Sequence, residues 1–66
     1  MIVYDRLWQF MEKANISQYK LITSGISHST LTRLKRNQSV SMETIDRLCT
    51  ILDCKVEDLV EFVKNS

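Results

Sequence analysis

The sequence predicts an all-α fold of five helices, and three observations lead to this prediction. Apolar residues recur at helical spacing in five successive segments of the chain. The 66 residues include one glycine, Gly25, and no proline, whereas hairpins and tight strand connections depend on those two residue types. Apolar residues make up 44% of the chain, which suits a folded core and not a disordered tail. Because no linker, repeat or low-complexity stretch interrupts the pattern, we expect residues 1–66 to form one small, compact domain.

The first two helices are predicted at about 5–14 and 18–23. In the first, apolar residues at i, i+4 and i+7 fall on one face. Ser17 is a good N-cap for the second helix, in which Tyr19 is expected to add apolar contacts. Gly25 then ends it, because a sharp turn between helices commonly requires a positive φ, which glycine adopts without steric cost.

The third helix is predicted to follow the N-cap Ser27 and to run from His28 to about Asn37. Leu31 and Leu34 are its only large apolar residues. The side opposite these leucines is polar and carries Ser29, Thr32, Arg33 and Arg36. A helix with so narrow an apolar face presents much of its surface to solvent or to a ligand.

The fourth and fifth helices are predicted at about 42–52 and 56–63. Apolar residues of the fourth fall at i, i+3, i+4 and i+7 along one face. In the fifth, Leu59, Val60, Phe62 and Val63 are apolar, and Glu57 and Asp58 lie in its first turn, where the helix dipole favours negative charge.

The net charge of +1 conceals an uneven distribution of charge along the chain. Residues 13–42 contain five basic residues and no acidic one, whereas residues 43–66 contain six acidic residues and three basic ones. The central cationic segment fits a nucleic-acid binding surface. It fits an ordinary solvated surface equally well on charge alone.

The sequence offers no constellation of residues for catalysis or for a metal. His28 is the only histidine, and with Cys49 and Cys54 it falls short of a closed tetrahedral site. There is no glycine-rich phosphate loop, so we expect no enzyme, cofactor or small-molecule ligand. The two cysteines are expected to be buried, reduced thiols.

The chain also lacks the features that would direct it to a membrane. No segment approaches the roughly 18 uninterrupted apolar residues of a membrane span. The first five residues lack the basic region and apolar run of a signal peptide. We therefore expect a cytoplasmic protein with no membrane partner.

The second and third predicted helices, joined by a short glycine turn within the cationic segment, have a helix-turn-helix layout. In such a motif the second helix enters the major groove of DNA and the first crosses the backbone. Serine, threonine, histidine and arginine can all bond to base edges.

Two stretches of sequence resemble the lambda-repressor-like, Cro/XRE-type helix-turn-helix family. The first is ISQYKL at residues 16–21 with GISHSTLTRL at residues 25–34. The second is VSMETIDRLC at residues 40–49 with LDCKVEDL at residues 52–59, which is similar to the fourth and fifth helices of that family. The likeness extends from about Tyr4 to Val63.

The resemblance implies roles for individual residues. The residues that match base-contacting positions of the recognition helix are His28, Ser29, Thr32 and Arg33. A second group matches positions that contact the DNA backbone or adds a neighbouring cation to them. Its members are Gln18, Lys20, Lys35, Arg36, Asn37 and Gln38.

The function that follows is sequence-specific binding of double-stranded DNA by a transcriptional repressor. The alternative is a protein-interaction module, such as an antitoxin-like partner, whose polar third helix docks on a protein. The apolar residues at 2–4 and at 60, 62 and 63 cover the core or form a dimer surface, and the sequence leaves both interpretations open. If they form a dimer surface, we expect a weak homodimer that pairs on DNA.

Overall fold

Four α-helices, one 3₁₀ turn and two short strands make up residues 1–64, the part of the chain that the computed structural model describes. In chain order they are β1 (Ile2–Val3), α1 (Asp5–Ala14), α2 (Gln18–Thr23), α3 (His28–Lys35), α4 (Met42–Leu52), the 3₁₀ turn (Val56–Asp58) and β2 (Glu61–Phe62). The predicted bounds of α1, α2 and α4 are confirmed. The prediction for α3 is two residues too long at its C-terminal end.

The predicted fifth helix is wrong, and the fold is therefore not purely α. Only Val56–Asp58 form a helical turn, and β2 follows it and pairs antiparallel with β1. The apolar run at 59–63 includes two β-branched valines and Phe62, which fit a strand as well as a helix. Because the two strands come from opposite ends of the chain, no hairpin turn joins them. The scarcity of glycine and proline therefore does not exclude this pair of strands.

All four α-helices end in the same way. A residue with positive φ follows each helix, and the N–H of the next residue bonds to a carbonyl five positions earlier, which is the Schellman motif. The positive-φ residues are Asn15 (φ 58°), Gly25 (108°), Asn37 (55°) and Asp53 (51°). The bonds run from Ile16 to Met11 (2.8 Å), from Ile26 to Leu21 (3.0 Å), from Gln38 to Arg33 (2.8 Å) and from Cys54 to Cys49 (3.1 Å). Glycine, asparagine and aspartate are the residues that adopt this conformation most readily.

Serine hydroxyls cap the N-termini of the last three α-helices. Ser17, Ser27 and Ser41 each accept a hydrogen bond from the backbone N–H three residues later, at 3.4, 3.2 and 3.1 Å. Each such cap stabilises its helix by about 1 kcal/mol. Both ends of α2, α3 and α4 are thus fixed by local hydrogen bonds.

The core is built around one fully buried leucine from each α-helix and one that follows the 3₁₀ turn. These are Leu7, Leu21, Leu34, Leu48 and Leu59. Each contributes about 1.5–3 kcal/mol by its burial. Val3 and Tyr4 close one end of the core, which assigns part of the apolar N-terminus to core packing. Tyr19, predicted to contact the core, is instead 72% exposed.

Candidate nucleic-acid interface

The turn between α2 and α3 comprises residues 24–27 and holds the two helices against a common core. Gly25 takes a positive φ of 108°, as the sequence predicts. A Cβ added to Gly25 would meet only the Arg47 guanidinium, at 4.0 Å, so its backbone conformation and not the available space makes glycine necessary. Ile26 in the turn is buried in the same core cluster as Leu21 and Leu34, which anchors the start of α3 to the core.

Helix α3 buries one narrow face and exposes the rest. Leu31 and Leu34 are buried, as predicted. Six of its other residues are exposed, namely His28, Ser29, Thr32, Arg33, Lys35 and, at the C-cap, Arg36. At 3.6 residues per turn, the four predicted to share the outer face span an arc of about 100°. The four predicted base-contacting residues, His28, Ser29, Thr32 and Arg33, span a wider arc of about 140° and are all exposed.

The small hydroxyl residues of α3 are partly engaged within the helix. The Ser27 hydroxyl donates to the Thr30 hydroxyl (2.9 Å) and lies 3.1 Å from that of Ser29. The Thr32 hydroxyl donates to the carbonyl of His28 at 3.0 Å. Thr32 consequently offers a DNA base its methyl group and acceptor lone pairs but no free proton.

Arg33 differs from these hydroxyl residues because its side chain has no hydrogen-bond or ion-pair partner within residues 1–64. All its guanidinium N–H groups are therefore available, and their fork geometry matches two acceptors at once. In the major groove, O6 and N7 of guanine present such a pair of acceptors.

The other cations of this surface are equally unengaged. Within residues 1–64 the ion pair formed is Arg6 with Glu61, at 3.5 Å, on another part of the molecule. Lys20, Lys35 and Arg36 are exposed, and no acidic residue lies between Glu12 and Glu43 to offset their charge. Such a surface attracts phosphate groups and releases counterions when it binds them.

Asn37 and Gln38 follow α3 and have structural contacts that the sequence did not reveal. Asn37 is partly buried, and its Oδ1 accepts a hydrogen bond from the backbone N–H of Tyr4 at 3.0 Å. The carbonyl of Gln38 accepts a bond from the Tyr4 hydroxyl, also at 3.0 Å. The Asn37 amide N–H₂ and the exposed Gln38 side chain are the groups left to contact a DNA backbone.

The remaining predicted contacts lie at helix beginnings. Gln18 is the first residue of α2 and His28 is the first residue of α3, and both are exposed. Lys20 lies in the first turn of α2 with its side chain in solvent. Nine of the ten predicted residues are thus exposed, and Asn37 is the exception.

Arg47 is a cation near this surface that the sequence analysis did not single out. It lines a polar groove of about 300 Å³ between the N-terminal ends of α3 and α4, which also contains Ser27, Thr30, Ser41, Thr44 and the carboxylate of Glu43. Arg47 is the only basic residue of α4, and this was the one signal in the sequence that could have pointed to it.

Residues 1–64 contain neither a metal-binding cluster nor a membrane-spanning helix. No group of three or more histidine, cysteine or acidic residues is arranged to hold a metal ion. None of the helices in this range has the length and apolar character needed to cross a membrane.

A capped helix-turn-helix with a cationic, exposed second helix defines a class of DNA-binding regulatory domains. The chain belongs to the family described as the Cro/C1-type HTH DNA-binding domain, whose pattern it matches over residues 6–65. Its fold is similar to the crystal structure of the transcriptional regulator VanUg (form II), with a TM-score of 0.89 and 25% sequence identity over 97% of this chain and 87% of that one. No curated protein matches it in sequence.

Proposed function

We propose that this protein binds specific sequences in double-stranded DNA through α3 and represses transcription by occupying a promoter site in the cytoplasm. The observation that carries the proposal is the exposed outer face of α3, where Arg33 has no partner within residues 1–64. Membership of the Cro/C1-type family and the fold shared with a transcriptional regulator support it.

In the proposed complex α3 lies in the major groove, and Arg33 bonds to a guanine. His28, Ser29 and Thr32 contact neighbouring bases from the same face. The six backbone-contacting residues, on α2 and around the C-terminal end of α3, contact phosphates and set the register of the protein on the duplex.

The short reading length of α3 supports binding as a pair. Eight residues at about 1.5 Å each span about 12 Å, which corresponds to three or four base pairs. So few base pairs cannot specify a site in a genome. A two-fold dimer would read two half-sites about 34–36 Å apart in successive major grooves.

The apolar surface around the two strands is the proposed contact between the paired copies. Ile2 and Phe62 lie opposite each other in the β1–β2 pair, and both are exposed, Phe62 to 69%. Met1 and Val63 extend the ribbon through two mutual backbone hydrogen bonds of 2.7 Å and are also exposed. Because this surface is small, we propose that the free protein is a weak homodimer that pairs on DNA.

The decisive experiment is selection of bound duplexes from a random pool, followed by titration of the recovered sequence at several salt concentrations. The proposal expects a defined motif and an affinity that falls steeply with salt through counterion release. A matched variant, Arg33→Ala, should fail to enrich the same motif. The alternative of a protein-interaction module would be favoured by no enriched motif and weak, sequence-independent binding.

Repression is tested separately from DNA binding. The recovered site is placed either over a promoter or well upstream of it, in front of a reporter gene. The proposal expects lower expression only in the overlapping arrangement, because occupation of the promoter excludes the polymerase. Increased expression from the upstream arrangement would identify an activator instead.

A further inference from the structure

The two cysteines lie together at the C-terminal end of α4, away from every predicted DNA contact. Both are unbonded thiols, partly buried, and both pack against the hydrophobic core. We propose that Cys49 and Cys54 form a dithiol site that closes to an intrachain disulfide in the folded protein when a small disulfide, such as oxidised glutathione, is the oxidant.

The Schellman motif that ends α4 brings these two residues together. The N–H of Cys54 bonds to the carbonyl of Cys49 at 3.1 Å, across Asp53 with its φ of 51°. In this motif the side chains of the two bonded residues commonly contact each other. A backbone N–H···O bond between two residues also brings their Cα atoms close to the separation of about 4.4–6.8 Å that a disulfide spans.

The corresponding pairs at the ends of α1 and α2 are apolar, whereas the pair at the end of α3, Arg33 with Gln38, is exposed. The apolar pairs are Met11 with Ile16 and Leu21 with Ile26, and all four residues pack in or against the core. The thiol pair occupies the equivalent place at the end of α4. The two cysteines therefore occupy neighbouring positions against the core, which is the arrangement that a disulfide between them requires.

The chemical state of Cys54 also reflects the proximity of Cys49. The pKa of Cys54 is raised to about 11, mainly by burial, and the neighbouring Cys49 thiol contributes in the same direction. Cys54 is therefore protonated at neutral pH, and it serves as the second thiol in the exchange.

The exchange is balanced in electrons and protons. The Cys49 thiolate attacks one sulfur of oxidised glutathione, forms a mixed disulfide and expels one glutathione thiolate. Cys54 then loses its proton to solvent and attacks the Sγ of Cys49, and the Cys49–glutathione bond breaks. The two cysteines lose two electrons, which reduce the oxidant to two molecules of glutathione. The second step should accelerate as pH rises toward the pKa of Cys54.

The bond would close a loop of six residues at the boundary between α4 and the 3₁₀ turn. It would tie the end of α4 to the segment that leads to β2. A fold that already holds the thiols together is stabilised by the bond, because the bond restricts the unfolded chain more than the folded one.

The test treats the folded 66-residue chain with oxidised glutathione at about pH 8.5, where a sizeable fraction of an ordinary thiol is ionised. Samples are quenched with acid and their intact mass and peptide maps are measured. The expected end product is lighter by two hydrogen atoms and contains a Cys49–Cys54 cross-link. Stable glutathione adducts on both cysteines, or disulfide-linked dimers, as the main product would overturn the proposal.

Two controls show whether the fold is responsible. The single variants Cys49→Ser and Cys54→Ser should each stop at the glutathione adduct. In wild-type protein the equilibrium between the dithiol and glutathione is measured in buffer and in urea. The effective concentration of one thiol at the other should be at least about tenfold higher in the folded protein than in the unfolded one. The melting temperature should be about 5–10 °C higher after oxidation. Equal values in buffer and urea would refute a site built by the fold.

Discussion

The backbone N–H of Tyr4 donates a 3.0 Å hydrogen bond to the side-chain oxygen of Asn37, although 33 positions separate the two residues. The Tyr4 hydroxyl adds a second bond, also 3.0 Å, to the carbonyl of Gln38. Tyr4 itself is buried between β1 and α1. The segment that follows α3, one turn after Arg33, is therefore held in place by Tyr4.

Asn37→Ala should destabilise the protein by about 2–3 kcal/mol. The change leaves the Tyr4 N–H without its acceptor, and it places a Cβ-bearing residue that cannot bond locally at a positive φ of 55°. Urea denaturation measures the free energy of unfolding. Asn37→Asp is the matched control, because aspartate keeps an acceptor oxygen and tolerates the left-handed conformation. A variant Asn37→Ala as stable as wild type would mean that this bond does not anchor the loop.

Arg33→Ala should weaken binding to the best DNA site by about 1–3 kcal/mol and relax the preference at one base position. Lys35→Ala and Arg36→Ala should instead weaken binding to all duplexes by similar factors. Each should also reduce, by about one, the slope of the logarithm of the binding constant against the logarithm of the salt concentration. Titrations on cognate and scrambled duplexes separate the two effects. Equal losses on both duplexes for Arg33→Ala would place this residue on the phosphate backbone.

Gly25→Val should lower the melting temperature, because a β-branched residue is strained at a φ of 108°. The free energy of unfolding should fall by about 2 kcal/mol or more. Backbone strain and not a steric clash is the cause, since only the flexible Arg47 side chain is near. Ser24→Ala, at the exposed neighbouring position, serves as the control and should change little. Thermal melts followed by circular dichroism compare the two, and an unchanged melting temperature for Gly25→Val would contradict the strain argument.

Stability should fall between about pH 9 and pH 11 through the titration of Cys54. The pKa of this thiol is raised from 9.0 to about 11 in the folded protein, mainly by burial. Deprotonation therefore favours the unfolded chain. The stabilisation of the folded state by the protonated Cys54 thiol is complete below pH 9 and is lost as the pH rises to about 11. It amounts to about 2 kcal/mol.

The comparison of wild type with Cys54→Ser isolates this contribution, because other titrating groups are common to both proteins. Urea denaturation at about pH 8 and pH 11 under reducing conditions should show a gap between the two proteins that narrows at the higher pH. A gap that is independent of pH would show that the thiol titrates alike in the folded and unfolded chains.

The features that the sequence predicted correctly are those that local patterns determine. Helical spacing of apolar residues located α1, α2 and α4, the N-cap Ser17 marked the start of α2, and Gly25 located the turn. Leu31 and Leu34 placed the exposed face of α3, because the geometry of one helix fixes which residues lie opposite them.

The features that it missed depend on partners far away in the chain. The residues of β2 form a strand only because β1 lies beside them, and the run at 59–63 alone does not distinguish strand from helix. Asn37 matched a DNA-contact position, yet its oxygen bonds to Tyr4. Tyr19 is apolar in part, but Leu21 and Ile22 already fill the inward side of α2.

The proposed dimer leads to a prediction about the β1–β2 ribbon. The molecule is at most 38 Å long and has one recognition helix among its described residues, so a single copy reads one groove. Phe62 is the most exposed residue of the ribbon, and Phe62→Ser should weaken pairing without reaching the core. Since the contact is small, the loss should be seen mainly in the cooperativity of binding to DNA.

Gel shifts on a full palindromic site, an isolated half-site and a site with altered spacing test this arrangement, alongside sedimentation of the free protein. Wild type should bind the full site cooperatively and far more tightly than the half-site, with half-sites about 10–10.5 base pairs apart. Phe62→Ser should bind the half-site like wild type and lose cooperativity on the full site, whereas a change at exposed Gln9 on α1 should affect neither. Undiminished affinity for the half-site, with no sensitivity to spacing, would show that one copy suffices.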